Sequence, residues 1–310
     1  MNRRNFIRGT VASSCLLAFG IRPESVYAAA DFVKITILHT NDVHSRIDPF
    51  PLDDGKFPGR GGAAPRAALI KRIRQEEANV LLLDAGDLFQ GTPYFNYYGG
   101  ELEMKLMSKM GYDAGTMGNH EFDNGLEGFN KQLPHANFPF LTSNYDFSDT
   151  ILNGKTKDYH IFKKDGLKIG VFGLGIELAG IANKEQYGET RYLDPLKKAL
   201  EMEHILKMEH KCDLVICLSH LGYDYNTIKI SDKVIAKNTH YIDLIIGGHT
   251  HTFLEAPESV KNLNRNETLI NQVGYAGVNL GRLDFVFERD RGGKRAYSSA
   301  TEEINSYFKF

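Results

Sequence analysis

Apolar and polar positions follow two patterns along the chain. Short apolar runs rich in valine, isoleucine and leucine predict β-strands, and the longer stretches between them have the pattern of helices. The predicted strands are residues 33–39, 80–84, 113–117, 138–142, 214–219 and 244–247. The predicted helices are residues 64–77, 101–110, 125–133, 195–210 and 231–238. This alternation is typical of a sheet covered by helices and places the chain in the α/β class.

A hairpin interrupts the alternation. Asp165-Gly166 is a strong two-residue turn signal between the apolar runs at 159–164 and 167–174. Antiparallel strands are predicted at the end of the fold, over residues 268–273 and 277–288.

The composition bounds the size of the fold and the kind of partner. With 310 residues, 42% hydrophobic and 25% charged, the chain resembles a globular protein with one large domain, here residues 31–290, followed by a C-terminal tail over 291–310. The formal net charge of −2 and the lack of a long basic run exclude a nucleic-acid surface, because phosphate backbones are bound by clustered Lys and Arg. A small anionic substrate therefore needs a local attraction, for which a metal ion is the obvious candidate.

The N-terminal segment has the features of a targeting signal. Arg3, Arg4 and Arg8 precede an apolar run at 11–21, and small residues follow it. This predicts a signal peptide over residues 1–30 of the twin-arginine type and a periplasmic or otherwise exported protein. An ordinary secretory signal is the alternative. The apolar run is shorter than the ~20 residues that span a bilayer, so no membrane anchor is expected.

The cysteines predict no disulfide. Cys15 lies in the signal segment, and Cys212 and Cys217 lie on one predicted strand. Five residues of strand separate these two by ~16 Å, whereas the Cα atoms of a disulfide lie within ~7 Å. Both are therefore expected to be core residues.

Potential metal ligands follow five of the strand-like runs within a few residues. They are Asp42 and His44, then Asp87, then Asn119, His120 and Asp123, then His220, and finally His249 and His251. The carboxyl ends of neighbouring parallel strands meet at one crevice, so these five segments are expected to form one site.

The ligand types indicate the metals. Imidazole, carboxylate and amide groups without a thiolate suit divalent transition ions such as Zn²⁺, Mn²⁺, Fe²⁺ or Co²⁺. The seven candidates are Asp42, His44, Asp87, Asn119, His220, His249 and His251. Seven ligands exceed the needs of one tetrahedral ion, so two ions are predicted, ~3.5 to 4 Å apart, with a carboxylate such as Asp87 bridging them around an attacking hydroxide. If Asn119 is a ligand, His120 is left to contact the phosphate and protonate the leaving oxygen, oriented by Asp123.

Four motifs resemble those of calcineurin-like metallophosphoesterases, specifically the 5′-nucleotidase branch, which also includes 2′,3′-cyclic phosphodiesterases and UDP-sugar hydrolases. They are LHTNDVH at 38–44, GDLFQG at 86–91, GNHEFD at 118–123 and GHTH at 248–251. The resemblance implies a four-layer α/β/β/α sandwich. It implies one metal held by Asp42, His44, Asp87 and His251, and another held by Asp87, Asn119, His220 and His249. It also implies His120 and Asp123 as the catalytic pair and Asn119 and His120 as substrate contacts. Some relatives carry Gln in place of His251.

The other histidines have structural interpretations. His39, on the first strand, is expected to be packed or to support a ligand. The histidines outside the motifs, at 135, 160, 204, 210 and 240, are expected to be surface or structural residues. The Gly61-Gly62 pair lacks the glycine spacing of a P-loop, so a helix-opening loop is expected there.

The resemblance predicts an exported phosphoesterase that acts on a small phosphate ester, with a nucleotide as the expected substrate. Full-length members of the family carry a second domain that binds the nucleoside, whereas this chain stops near the end of the first. A separate chain that supplies that domain, a substrate that does not need it, or broad activity are the three expectations. Two other classes stay open: a thiosulfohydrolase-like enzyme and a non-catalytic, metal-stapled binding subunit.

Overall fold

Two six-stranded sheets form the middle of the molecule. The structure is a computed structural model that describes residues 32–288 and 294–305. The first sheet has the order β14-β13-β1-β2-β3-β4. Its strands are β1 (Phe32–Thr40), β2 (Val80–Asp84), β3 (Ala114–Thr116), β4 (Phe140–Leu141), β13 (Asn279–Glu288) and β14 (Lys294–Glu303).

The second sheet has the order β11-β12-β10-β9-β7-β6. Its strands are β6 (Tyr159–Lys164), β7 (Leu167–Leu174), β9 (Leu214–Ser219), β10 (Leu244–Gly247), β11 (Glu258–Lys261) and β12 (Glu267–Asn271). A small antiparallel pair, β5 (Tyr145–Asp146) and β8 (Arg191–Tyr192), lies apart from both sheets.

Helices cover the outer face of each sheet. Within the described residues they are α1 (Ala63–Glu76), α2 (Pro93–Tyr98), α3 (Glu101–Met110), α4 (Gly125–Gln132), α5 (Lys184–Tyr187), α6 (Pro195–His204) and α7 (Asp232–Lys237). Short 3₁₀ turns lie at His120–Phe122 and Leu133–His135, and a π turn at Ile205–Glu209 extends α6.

The burial of β2 shows how the layers arise. Successive side chains of a strand point to opposite faces. Leu81 and Leu83 pack between the two sheets against residues such as Ile216 of β9. Val80 and Leu82 pack on the outer face with α1 and α3. Because both faces are buried, the strand is a continuous apolar run, and α6 and α7 cover the second sheet in the same way. The α/β/β/α sandwich is confirmed.

Parallel pairing aligns the strand ends that matter for function. Thr40 at the end of β1 lies opposite Asp84 at the end of β2. In the other sheet, Ser219 at the end of β9 lies opposite both Leu174 and Gly247, which end β7 and β10. Loops that leave these ends therefore start from one rim of the sandwich.

Two features differ from the sequence predictions. Much of the predicted C-terminal tail is β14, an edge strand paired antiparallel with β13, because its polar face is solvated and hides the strand signal. The short α2 and α5 were not predicted. The two strands predicted at the end of the fold are present as β12 and β13, which lie in different sheets and have β11 and the β1/β14 pair as antiparallel partners.

Some predictions fall outside the described residues: the signal peptide at 1–30 and the two ends of the predicted C-terminal tail, 291–293 and 306–310. Cys212 and Cys217 are both buried free thiols. Across residues 32–288 and 294–305, no helix has the length and apolar content needed to span a bilayer.

Candidate metal centre

The structure brings all nine candidate side chains to one rim of the sandwich. The loop after β1 carries Asp42 and His44, the loop after β2 carries Asp87, and the loop after β3 carries Asn119, His120 and Asp123. The loops after β9 and β10 carry His220 and then His249 and His251. Contacts between these side chains define two groups.

The first group is Asp42, His44 and His251, whose ligand atoms all lie within 4.8 Å of one another. The Nε2 atoms of His44 and His251 are 3.0 Å apart. Oδ1 of Asp42 lies 3.3 Å from Nε2 of His251 and 4.0 Å from Nε2 of His44. Two imidazole nitrogens and a carboxylate oxygen thus converge on one point.

The second group is Asp87, His220 and His249, with the same mutual spacing. Oδ2 of Asp87 lies 3.0 Å from Nε2 of His220. Nδ1 of His249 lies 2.9 Å from Oδ1 of Asn119, which joins the amide to this group. A third grouping of His44, Asp87 and His120 connects the other two, so the site is continuous.

Asp87 lies between the two groups. Its Oδ2 atom is 4.0 Å from Nε2 of His44 as well as 3.0 Å from His220. Its Oδ1 atom accepts a hydrogen bond from the backbone N–H of His120 at 2.9 Å. One oxygen is therefore fixed by the protein and the other faces histidines of both groups.

Asp42 is also fixed by hydrogen bonds. It is fully buried, and its carboxylate accepts hydrogen bonds from the backbone N–H of His249 and, at 2.7 Å, from Nδ2 of Asn41. Asn41 also donates to the carbonyl of Gly274. The Asn41 amide thus ties the first ligand loop to the chain that follows β12, a role not predicted from the sequence.

Burial and nearby charge set the protonation of the histidines. Burial, with the charge of His220, lowers the pKa of His249 to about 4, and burial lowers the pKa of His44. Both rings are therefore neutral near pH 7, the form that binds metals. Burial alone would lower the pKa of His220, but the Asp87 carboxylate beside it raises that pKa to about 10.

His120 and Asp123 form a hydrogen-bonded pair beside these groups. Nδ1 of His120 lies 2.8 Å from Oδ2 of Asp123, and about a third of the His120 side chain is exposed. Burial works to lower the pKa of His120, but the Asp123 bond and the Asp87 charge raise it to about 9. Because Asp123 occupies Nδ1, Nε2 is the ring nitrogen left for other contacts.

The ligand loops share an unusual backbone conformation. Five of the candidates have φ near +50° to +70°, a backbone region that residues other than glycine rarely adopt. They are Asp42, His44, Asp87, His249 and His251. Such strain persists where the surrounding structure enforces it and is concentrated at functional sites.

Glu121 supports the site through the backbone and was not predicted to do so. Its buried carboxylate accepts hydrogen bonds from the N–H groups of Gly118, Asp87, Leu88 and Phe89 at 2.6 to 3.2 Å. Four donors on one carboxylate fix the Asp87 loop against the loop of His120. Its place within the GNHEFD motif was the only signal in the sequence.

Tyr275 is another contributor without a signal in the sequence. Its ring stacks on the ring of His251, with centroids 4.9 Å apart and planes 16° apart. The stacking restrains a candidate ligand whose side chain is 38% exposed.

The donor set suits metal cations. Nε2 of His220 is fully buried and makes no well-aligned hydrogen bond within the described structure, although Asp87 is close. The Nε2 atoms of His44 and His251 face each other at 3.0 Å, so both cannot carry a proton there. When deprotonated, these two nitrogens and Nε2 of His220 would each offer a lone pair to a cation, so the residues fit a pair of metal ions.

The remaining histidines lie apart from these groups. His39 is buried opposite Gly281, and its Nε2 contacts Nδ2 of Asn271 at 2.9 Å. Burial lowers the pKa of His39 to about 3, so the ring is neutral. His210 pairs with Tyr159.

The sandwich, with its cluster of His, Asp and Asn side chains at the strand ends, defines a protein of the metallo-dependent phosphatase type. A family model described as calcineurin-like phosphoesterase matches residues 35–253, and the chain belongs to this family. The resemblance seen in the sequence motifs is confirmed.

Individual relatives point to one branch. The chain is 35% identical over 290 residues to the snake venom 5′-nucleotidase of Gloydius brevicauda, covering 85% of this chain and 47% of the relative. It is also 35% identical to a 5′-nucleotidase of Vibrio cholerae, covering 92% and 55%. The crystal structure of a 5′-nucleotidase precursor from Thermus thermophilus matches with a TM-score of 0.80 and 31% identity, covering 88% and 55%. The chain spans about half the length of the curated relatives that it matches.

Proposed function

We propose that the chain hydrolyses phosphate esters of nucleotides at a centre of two divalent metal ions. The observation that carries this proposal is the convergence of six potential ligands around a seventh, Asp87, with the His120–Asp123 pair beside them. The similarity to proteins named 5′-nucleotidases supports a nucleotide as the substrate.

The proposed ligand sets follow the two groups. Asp42, His44 and His251 hold one ion, and Asn119, His220 and His249 hold the other, with Asp87 shared between them. When bound, such a pair supplies an activated water and neutralises charge on the phosphoryl oxygens. This ligand set accepts Zn²⁺, Mn²⁺, Fe²⁺ or Co²⁺, so the ions bound depend on which metals are available to the protein.

His120 acts on the substrate in this proposal. The Asp123 carboxylate beside Nδ1 favours the protonated ring and raises the pKa of His120, so His120 donates a hydrogen bond to the phosphate and a proton to the leaving oxygen. Asp123 holds Nδ1, which turns the other nitrogen toward the substrate. The hydrogen bonds that Glu121 accepts from the backbone fix the loops of His120 and Asp87 relative to each other.

The activity is tested with AMP, a 2′,3′-cyclic nucleotide, a UDP-sugar and bis(p-nitrophenyl) phosphate, each with and without added Mn²⁺ or Zn²⁺. Turnover that a chelator abolishes and metal restores is the expected result. His204→Ala, a change at an exposed histidine on α6, is the control and is expected to match the wild type. Absence of turnover with every ester would favour a metal-stapled binding protein instead.

We also propose that residues 1–30 direct export, on the strength of their paired arginines and apolar run. N-terminal sequencing of the protein recovered from the periplasm of a Gram-negative host tests this. A mature chain that begins near residue 29 or 31 is expected, and an intact Met1 confined to the cytosol would contradict it.

A further inference from the structure

The short helix α5 reaches the His120–Asp123 pair from the opposite sheet. It belongs to the segment that follows β7 of the second sheet, whereas the pair lies in the loop after β3 of the first. Gln186 of α5 and Asp123 are 63 residues apart in the chain and are joined by a hydrogen bond. The proposed chemistry gives no role to this helix, so the contact calls for an explanation.

Packing places α5 beside the elements that flank Asp123. Tyr187, the last residue of α5, packs against the outer core, which includes Phe122 of the 3₁₀ turn and Leu126 of α4. Gly188 follows directly, and a Cβ there would lie 3.3 Å from Cδ1 of Leu126. The helix is therefore fixed next to the Asp123 turn by apolar contacts, independently of the hydrogen bond.

The amide of Gln186 is hydrogen-bonded at both ends. Its Nε2 atom donates to the backbone carbonyl of Asp123 at 2.8 Å. Its Oε1 atom accepts from the backbone N–H of Asn183 at 2.9 Å, at the start of α5. Reversing the amide would place two acceptors together at Asp123 and two donors together at Asn183, so the chemistry of the partners fixes its orientation. Gln186 is thus a rigid link between α5 and Asp123.

This link restrains the residue that orients the His120 ring. The N–H of Asp123 donates to the carbonyl of His120 at 3.2 Å, and its Oδ2 atom lies 2.8 Å from Nδ1 of His120. The Asp123 side chain is 26% exposed, so water competes for its carboxylate. With the Asp123 carbonyl held by Gln186, the backbone that carries this carboxylate is anchored on both sides. The carboxylate is therefore kept where it meets Nδ1.

We propose that Gln186 is a positioning residue, which holds Asp123 and through it the ring of His120 in the geometry for proton donation. This inference rests on the proposed ester hydrolysis. Through Gln186 the segment after β7 contributes to the reaction without contacting either the substrate or the metal ligands. A bond that only joined two loops would affect the stability of the fold and not the action of Asp123.

The first test separates turnover from binding. Gln186→Leu, which keeps the side-chain size but removes both hydrogen bonds, is expected to lower kcat about tenfold, because a misplaced acid loses part of its contribution. KM is expected to stay within twofold, and both metal ions are expected to remain bound. Gln186→Glu keeps the acceptor for Asn183 but cannot donate to Asp123, so it is expected to lose as much. Glu185→Leu, the same replacement at the exposed preceding residue, is the control and is expected to match the wild type.

A double-mutant cycle tests whether Gln186 acts through Asp123. In the background of Asp123→Ala, the further change Gln186→Leu is expected to lower kcat less than twofold, since the carboxylate that it would position is gone. A purely structural role would leave the tenfold effect in place. The full effect in that background would overturn the proposal, as would an unchanged kcat in both Gln186 variants or an equal loss in Glu185→Leu.

Proton NMR of the metal-free protein gives a readout that needs no activity. The proton shared by Nδ1 of His120 and Asp123 is expected to give a downfield signal, assigned by its loss in His120→Ala. In Gln186→Leu and Gln186→Glu this signal is expected to broaden or disappear, whereas Glu185→Leu keeps it. A signal that is unaltered in both Gln186 variants would overturn the proposal. If the wild type hydrolyses no ester, the proposed function fails, and this signal alone then decides whether Gln186 orders the pair.

Discussion

At the scale of single residues, the site could be predicted where a potential metal ligand closely follows a strand. Asp42, Asp87 and His220 each closely follow a largely buried strand, so their sequence context locates them. Glu121 and Tyr275 act through contacts with the backbone and with a ring brought in from elsewhere in the chain. Such contacts exist only after folding, and the sequence contains no local pattern for them.

His120→Ala tests the division between ligands and proton donor. We expect turnover of the best substrate to fall roughly 10²- to 10⁴-fold, the usual contribution of a positioned acid, while both metal ions stay bound. Steady-state kinetics and elemental analysis on the same preparation measure the two effects. Asp123→Asn, which keeps the side-chain size, is expected to lose less activity. Loss of metal in step with activity would make His120 a ligand instead.

His39 provides a test of pH dependence away from the metals. Its pKa is lowered from 6.5 to about 3 by burial, so the unfolded chain binds a proton that the folded chain excludes. This contribution is absent above pH 6.5 and destabilises the fold increasingly as the pH falls toward 3, by about 1.4 kcal/mol per pH unit.

Urea unfolding of metal-free protein at pH 7.5 and pH 5 measures this effect. His39→Gln is expected to lose stability at pH 7.5, since the replacement packs less well, but to show a shallower loss between the two pH values than the wild type. Equal slopes for the two proteins would show that His39 does not exclude the proton.

At the scale of elements, burial decided which strands were predicted. The central strands β2, β9 and β10 are buried along their whole length and stand out as apolar runs. The edge strands β11 and β14 pair on one side only and carry many exposed polar residues. Their place in the sheets depends on a partner strand, so an interpretation based on periodicity assigned β14 to a tail.

Ile304, just after β14, tests whether this end of the chain is structural. Its side chain is fully buried in the outer core, and its backbone bonds to Val278 and Gly61. Ile304→Ala is expected to reduce the free energy of unfolding by about 2 to 5 kcal/mol, as for other large-to-small core changes. Urea denaturation measures this loss. Ser299→Ala, at an exposed position of β14, is expected to stay within about 0.5 kcal/mol of wild type. Similar small effects at both positions would make the segment a tail after all.

At the scale of the whole molecule, the site joins the two sheets. Asp42, His44 and Asp87 come from loops of the first sheet, and His220, His249 and His251 come from loops of the second. Ions bound between them would link the halves of the sandwich only in the folded state, because the ligands are scattered over more than 200 residues of chain. Metal binding is therefore expected to stabilise the fold as well as to support hydrolysis.

Asp87 is the residue on which this linkage depends, since its Oδ2 atom lies near both His44 of the first group and His220 of the second. A ligand at 100 times its dissociation constant stabilises a fold by about 2.7 kcal/mol, so Mn²⁺ is expected to raise the Tm of wild type by roughly 5 to 10 °C. Asp87→Ala is expected to abolish most of that rise and to reduce the metal content for both ions, whereas Glu255→Ala, at an exposed acid, should respond as the wild type does. Scanning calorimetry with and without a chelator, together with metal analysis, measures both effects.

If the Asp87 variant still bound two ions per chain, the Asp87 carboxylate would not be the bridge. Asp42, which lies 4.0 Å from both His44 and His220, would then be the next candidate.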